Sequence, residues 1–465
     1  MIRSVSIVYD DSRKPGRDIA AITGNKSFGQ TIYKRQTLKA RVAEAFLSIP
    51  GVEGFYDAES YEPSDFKNTA VILFFSDFGI ADIKELETIV YKAGYAHENY
   101  KITQRNRIAC VIFKDGEAFK QARGADLDGY TAIECDAFAD LSDIGNFRSF
   151  ITGGFDARYF NRLTGDEYTV VKASSKKEKI KAEYTFWTLL PDDMKQWFAR
   201  PFDYREDGDI ASYKMQRYNM TDLAIRYVHG SIRTEEFSQI LKHLFYFLAH
   251  RKSESITSME YEAQAKRLYV SKVYDRIRQL KETPGYETVA AYISSSTRYN
   301  DIDEIVKRYV NMYDSMVSRA VFDHVRVISH GDMCFSNILY SAADSMLVLV
   351  DPKGAMSEEE LYMDPFYDVA KLSHSICGLY DLFNSDLYEI GIGDNMHAKV
   401  TVDTDNRPYV AIFREYLNEA GIDFKLIRLY ETSLFLSMLP LHMDRPRKVL
   451  GFILNAIAIM DSLEN

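Results

Sequence analysis

The sequence predicts an α+β protein in three parts: a small α/β domain over residues 1–140, a β-rich segment over 141–220 and a long helical region over 221–465. Three observations carry this. Short β-branched runs alternate with helical patterns as far as Phe113, a strand–turn–strand rhythm starts near Phe147, and apolar residues recur every three or four positions from Thr234 onward.

In the first part, Ser4–Tyr9, Val71–Phe75 and Ile108–Phe113 read as strands, separated by helices at Thr37–Leu47 and Ile83–Lys92. That alternation favours a mostly parallel sheet with polar residues displayed at strand ends, here Asp10, Asp11, Ser76 and Asp77. The stretch 123–143, which carries Gly, Asp and Ser with little periodicity apart from a short Tyr130–Glu134 run, is the expected boundary. Beyond it, Phe147–Thr152, Ala157–Leu163 and Tyr168–Ala173 read as strands, with Gly153-Gly154 as a turn whose backbone amides could approach phosphates beside the Thr152 hydroxyl. Lys172 closes the third strand, and Lys176–Leu190 is a helix containing Glu178 and Glu183. Ala211–Tyr218 alternates as an edge strand and breaks at Asn219. Phe237, Ile240, Leu241, Leu244 and Leu248 form a helical stripe, continued by Tyr261–Leu280 and Ile302–Ala320. After Asp368 the helices are Val369–Phe383, Val410–Gly421, Lys425–Pro440 and Lys448–Leu463.

A net charge of −11 argues against nucleic acid as the main partner, since duplex binding relies on basic surface. The apolar runs are far shorter than the ~20 residues that span a bilayer, so no membrane association is expected. The N-terminus carries Asp10 and Asp11 in place of an apolar signal core, and four dispersed cysteines, Cys110, Cys135, Cys334 and Cys377, fit neither a zinc site nor a disulfide scaffold. A reducing cytoplasm is the expected compartment.

The chemistry concentrates between Val325–Ile328 and Leu347–Val350, two strand-like runs that bracket His330-Gly331-Asp332-Met333-Cys334-Phe335-Ser336-Asn337 and precede Asp351. Phosphoryl transfer needs a carboxylate to orient an attacking hydroxyl and take its proton, a role suited to Asp332. It also needs hard oxygen donors for magnesium, suited to Asn337 and Asp351. Gly331 permits the tight turn. His330 reads as a brace of this loop, with a base role as the alternative.

HGDMCFSN, LVLVDPKG and YMDPFYDVAKL together resemble the aminoglycoside phosphotransferase and choline kinase branch of the protein-kinase-like fold, over the C-terminal two thirds of the chain. The resemblance implies a bilobal phosphotransferase with a small β-rich lobe and a large helical lobe, using ATP or GTP with Mg2+. Asp332 would be the catalytic base, Asn337 and Asp351 the metal ligands, and Asp364 and Asp368 braces of the loop and the following helix. Lys172 would neutralise nucleotide phosphates in a pair with Glu183, Glu178 being the alternative partner. Thr152, Gly153 and Gly154 would cover the phosphates, and Met215, Gln216 and Tyr218 would form a hinge bordering the base. The chain departs from the family pattern at Pro352-Lys353-Gly354, where an aromatic residue often follows the metal aspartate, and at Met363, where glycine is common. The first part faintly resembles a nucleotidyltransferase or GT-A domain through VILFFSDFGIADIKELETIV alone.

The function expected from this is phosphorylation of a hydroxyl on a sugar, amino sugar or amino alcohol, by analogy in sugar-nucleotide or surface-polysaccharide metabolism. Glu358, Glu359 and Glu360 could attract a cationic acceptor or could simply start a helix. The rival readings are a catalytically silent nucleotide-binding scaffold and a protein kinase; Asp351 to Asp364 is short for an activation segment.

Overall fold

The computed structural model describes residues 3–33, 35–63, 68–122, 127, 129–153, 162–165, 168–393 and 396–464, with 152–153 and 162–165 described in backbone only. The chain forms two compact units, Met1–Asp156 with His229–Ser231, and Ala157–Val228 with Ile232–Asn465.

The first unit is built on a six-stranded sheet in the order Val52–Asp57, Ser4–Asp10, Thr69–Phe75, Arg107–Phe113, Tyr100–Gln104, Thr131–Glu134. Ser4–Asp10 pairs in parallel with both neighbours, yet Arg107–Phe113 runs antiparallel to both of its own, so the sheet is mixed where a mostly parallel one was expected. The cause is local. Arg105 and Asn106 both adopt positive φ, 48° and 65°, which makes the two-residue turn whose twist suits a hairpin. In the expected boundary segment the short run becomes strand Thr131–Glu134, and Phe138–Asp140 adds a second strand that the sequence reading did not include.

Thr152 and Gly153 do not follow the sequence expectation either. Ile144–Gly153 is a helix, begun by Asp143 accepting a hydrogen bond from the Asn146 amide at 2.8 Å, with Phe147 and Ile151 buried four residues apart. Its helical spacing outweighs the β-propensity of the individual residues. A strand–glycine–strand phosphate loop is therefore not formed at Thr152 and Gly153, and Gly154 lies outside the described residues.

The second unit has two lobes. The smaller is a four-stranded antiparallel sheet in the order Arg162–Gly165, Thr169–Ser174, Ile210–Gln216, Pro201–Asp207, with helix Lys177–Leu189 laid against it through Ile180, Ala211 and Tyr213. The larger is helical. Thr234–Ala249 buries Phe237, Ile240, Leu241 and Leu244, the i, i+3, i+4, i+7 stripe read from the sequence. Residues 258–282 form one long helix that opens with a Thr257–Glu260 capping box and is interrupted by a π-helical turn at Arg267–Ser271. That turn directs Tyr269 inward, where its ring stacks on Tyr430 at 3.8 Å and its hydroxyl donates to Asp364 at 2.8 Å. The expected helix Val369–Phe383 is divided into Tyr367–Ile376 and Tyr380–Asn384; a Cβ at Gly378 would collide with Glu431 and Phe435, and Leu379 has a φ of 56°. Helices Arg407–Glu419, Phe424–Met438 and Pro446–Glu464 complete the lobe, the first stopped by Gly421 at positive φ. Among the described residues no helix is long and apolar enough to cross a membrane.

Candidate functional site

The site of the second unit is assembled from two short β-structures and one helix start. Strand Val325–Ile328 delivers the His330–Asn337 loop, and the hairpin of Ile338–Ser341 with Met346–Leu349 carries the chain back to Asp351. Because Ile338 pairs with Leu349 and the Val350 amide donates to the Asn337 carbonyl at 3.0 Å, the hairpin register sets Asn337 beside Val350 and Asp351.

Lys172 and Glu183 meet as the sequence suggested. Lys172, only 2% exposed, places Nζ 2.7 Å from Glu183 and 2.8 Å from Asp351, and Tyr213 donates to the same Glu183 oxygen at 3.2 Å. Burial lowers the lysine's pKa, the two carboxylates raise it, and the balance is upward, so the ammonium form is held firmly. The alternative partner, Glu178, is not involved; the further cation near Glu183 is Lys179 at 3.5 Å.

His330 is fully buried between backbone groups. Its Nε2 donates to the Val350 carbonyl at 2.8 Å and its Nδ1 accepts the Asp332 amide at 3.1 Å, which fixes the neutral Nε2–H tautomer. Both nitrogens are thus engaged and the ring stacks on Phe198, an arrangement that holds the loop and leaves no free nitrogen for a base. Gly331 has φ 77°, and a Cβ there would lie 2.6 Å from the Lys353 Cβ. Asp368 is the anchor beneath: its carboxylate accepts the His330 amide at 3.0 Å, the Gly331 amide at 2.8 Å and Arg251 Nη1 at 3.1 Å. Asp364 accepts the Phe366 amide as well as Tyr269.

Asp332 is the open member of the group, with 45% of its side chain exposed. Its carbonyl accepts the Asn337 side-chain amide at 2.8 Å, which turns the amide oxygen of Asn337 away, where it makes no hydrogen bond among the described residues. Asp351 is 41% exposed and held at φ 55°, a left-handed conformation uncommon for residues other than glycine. A hard divalent cation that keeps waters and phosphate oxygens in its shell suits this pair of oxygen donors. The donors themselves could hold it: Asn337 Oδ1 is unclaimed, and Asp351 spends one carboxylate oxygen on Lys172.

Two residues of this site escaped the sequence reading. Lys371 Nζ lies 2.8 Å from Asp332 Oδ1; burial lowers its pKa, Asp332 raises it, and the net shift is upward. A cation three positions after Asp368 on a helix start shares that residue's face, so the spacing was a usable signal. Arg251 had no such signal, being 117 residues from Asp368.

The hinge candidates are placed less decisively. Met215 lines, with Glu183, Tyr213 and Asp351, a cavity of about 20 Å³, room for a water and not for a nucleobase. Gln216 ends its strand exposed, and Tyr218 is half-buried. Of the acidic trio, Glu359 is paired with Arg326 and Glu360 accepts the Met356 amide.

Behind the loop lies a buried acidic pair. Ser375 accepts the Phe335 amide at 3.1 Å and bonds to Asp381, whose pKa burial pushes up to about 7; burial, with a contribution from Asp381, does the same to Asp222. An unfolded aspartate titrates near ~4. The folded state therefore binds more protons between about pH 4 and 7, and this contribution to stability is fully present below that window and lost as pH rises through it. Asp381→Asn should flatten part of the decline between about pH 4 and 7, read as urea midpoints by tryptophan fluorescence. An unchanged slope would show that Asp381 does not carry it.

In the first unit, Asp77 is not a free strand-end carboxylate. It is buried and clamped by Arg13 at 2.8 Å and Arg107 at 2.5 Å, while Asp11 accepts Ser27 Oγ and the Gly29 amide. Asp10 accepts the Ser12 amide.

No family model and no curated protein sequence matches the chain. Solved structures similar to it include a thermostable mutant of aminoglycoside phosphotransferase APH(4)-Ia in its apo form (12% identity, TM-score 0.40, covering 65% of this chain and 94% of that one). Another is the GDP complex of wild-type aminoglycoside 2'-phosphotransferase-IIIa (11%, TM-score 0.39, 65% and 90%). A third is a putative fructosamine-3-kinase from Haemophilus somnus 129PT (12%, TM-score 0.40, 66% and 88%). At these values the likenesses carry no argument. Within the second unit a lysine–glutamate pair joins a four-stranded sheet to its helix, and an HGDxxxxN loop and a following aspartate lie on the helical side, so the unit pairs a small β-sheet lobe with a larger helical lobe.

Proposed function

We propose that the second unit is an ATP- or GTP-dependent kinase that phosphorylates a hydroxyl of a small molecule, a sugar, amino sugar or amino alcohol. One observation carries the reading: Lys172 touches both Glu183 and Asp351, so the group that would neutralise nucleotide phosphates is tied to the group that would hold their cation. Asp332 orients the acceptor hydroxyl and takes its proton as the oxygen bonds to the γ-phosphorus and the bond to the leaving diphosphate breaks. Magnesium, held by Asn337 and Asp351, would offset charge on the phosphates. Lys371 holds one oxygen of Asp332 and so fixes the carboxylate's orientation toward the acceptor side.

The retained polar residues argue against a silent nucleotide-binding scaffold, and the short stretch from Asp351 to Asp364 argues against a protein kinase. The first unit, with Asp77 neutralised internally, reads as a docking or regulatory module. The test is a phosphate-transfer screen with magnesium and ATP or GTP across sugars, amino sugars, choline-like alcohols and nucleosides. Stoichiometric nucleotide binding with no turnover on any acceptor would favour the scaffold reading instead.

A further inference from the structure

Helix Arg407–Glu419 turns two faces in different directions. Phe413 and Leu417 enter the core, whereas Arg407, Val410, Ala411 and Arg414, at i, i+3, i+4 and i+7, line a separate cavity of about 430 Å³. Phe424 and Arg428 close it from the next helix, and Asn406, Cys377 and Ser462 complete the wall. The lining holds three arginines and no carboxylate, in a chain whose net charge is −11. Two of the arginines are ion-paired, Arg407 at the exposed rim with Asp405 at 2.7 Å and the buried Arg428 with Glu431 at 2.5 Å. Arg414 makes no ion pair among the described residues, and its guanidinium sits 4.9 Å over the Phe424 ring. Anchoring two guanidinium groups and leaving a third uncompensated pre-orders donors for an anion. The apolar floor of Val410, Ala411 and Phe424 offers a carbon skeleton somewhere to rest. The volume is that of a small-ligand cleft, open to solvent along Arg407, Ala411 and Arg414.

We propose that this cavity is a binding site for a small organic phosphate, its phosphoryl group held by Arg414 between Arg407 and Arg428 and its body on the apolar floor. The site does not depend on the kinase reading, and occupancy is measured without turnover. The ligand could be the acceptor itself or a separate effector; one chemistry serves both, and kinetics separates them. In the first case Arg414→Ala raises the acceptor KM, and in the second it removes a rate response to added sugar phosphate while KM stays fixed.

Isothermal titration of the full chain with glucose 6-phosphate, against glucose and against potassium chloride at matched ionic strength, tests the proposal. Saturable binding of the phosphate ester alone is expected, weakened at least about tenfold in Arg414→Ala, the scale of one lost hydrogen bond to a charged group. Val410→Trp, which fills the cavity while sparing every arginine, should abolish it. Absence of saturable binding, or binding that survives both substitutions, would overturn the proposal.

Discussion

Asp332→Ala should lower kcat for whichever acceptor the screen identifies by roughly 10²–10⁴-fold, the usual contribution of a positioned general base, while nucleotide affinity stays within a few-fold of the native protein. The split follows from geometry. The Asp332 carboxylate faces outward beside Lys371, whereas the Lys172–Glu183–Asp351 cluster proposed for the nucleotide side contains no atom of Asp332. The loop should survive the change, because His330 and Gly331 hang on Asp368 through backbone amides and Asn337 bonds to the Asp332 carbonyl, all of which alanine preserves. Nucleotide titration and steady-state kinetics on the same preparation give both numbers. Native kcat in the variant would remove Asp332 from the chemistry, and an equal loss of nucleotide affinity would mean that the loop had collapsed.

The parts of this site that could be read from sequence are those whose chemistry is written in local spacing. Asn337 and Asp351 flank one β-hairpin and Asp332 lies on the loop that leads into it, so their separation along the chain fixes their approach in space. Lys172 and Glu183 were legible for a similar reason: a strand end followed by one helix leaves few places for the partner carboxylate. The turn expected at Gly153 failed because two glycines in sequence are consistent with a turn on their own, while Asp143, Phe147 and Ile151, spaced for a cap and one helical face, decide the outcome up to Gly153. The hairpin turn at Arg105-Asn106 was missed since arginine seldom adopts positive φ, and with it went the mixed character of the first sheet. Hardest of all was Arg251. Nothing near it in the chain needs a buried cation; the need arises at Asp368, and only the folded chain brings the two together.

That distant pair supports the largest expected effect on stability. Asp368 is fully buried and accepts three hydrogen bonds, from the His330 amide, the Gly331 amide and Arg251, whose other nitrogens reach the Pro365 and Leu248 carbonyls. Asp368→Ala would strand two buried amides and a buried guanidinium, and breaking such a pair from one side costs about 3–5 kcal/mol. Both tryptophans of the chain, Trp187 and Trp197, lie in the second unit, so their fluorescence reports its unfolding without a contribution from the first. A fall in urea midpoint equivalent to that loss is expected. Asp368→Asn should recover only part of it, since one amide oxygen can still accept while the adjoining NH2 faces another donor. The loop-holding role also predicts a functional trace at temperatures where the variant is still folded: kcat should fall in Asp368→Asn with little change in nucleotide affinity, because Gly331 and Asp332 lose their fixed position while Lys172 keeps its partners. A loss below about 1 kcal/mol in Asp368→Ala, the worth of an ordinary hydrogen bond, would mean that Asp368 is not what holds the loop to its helix.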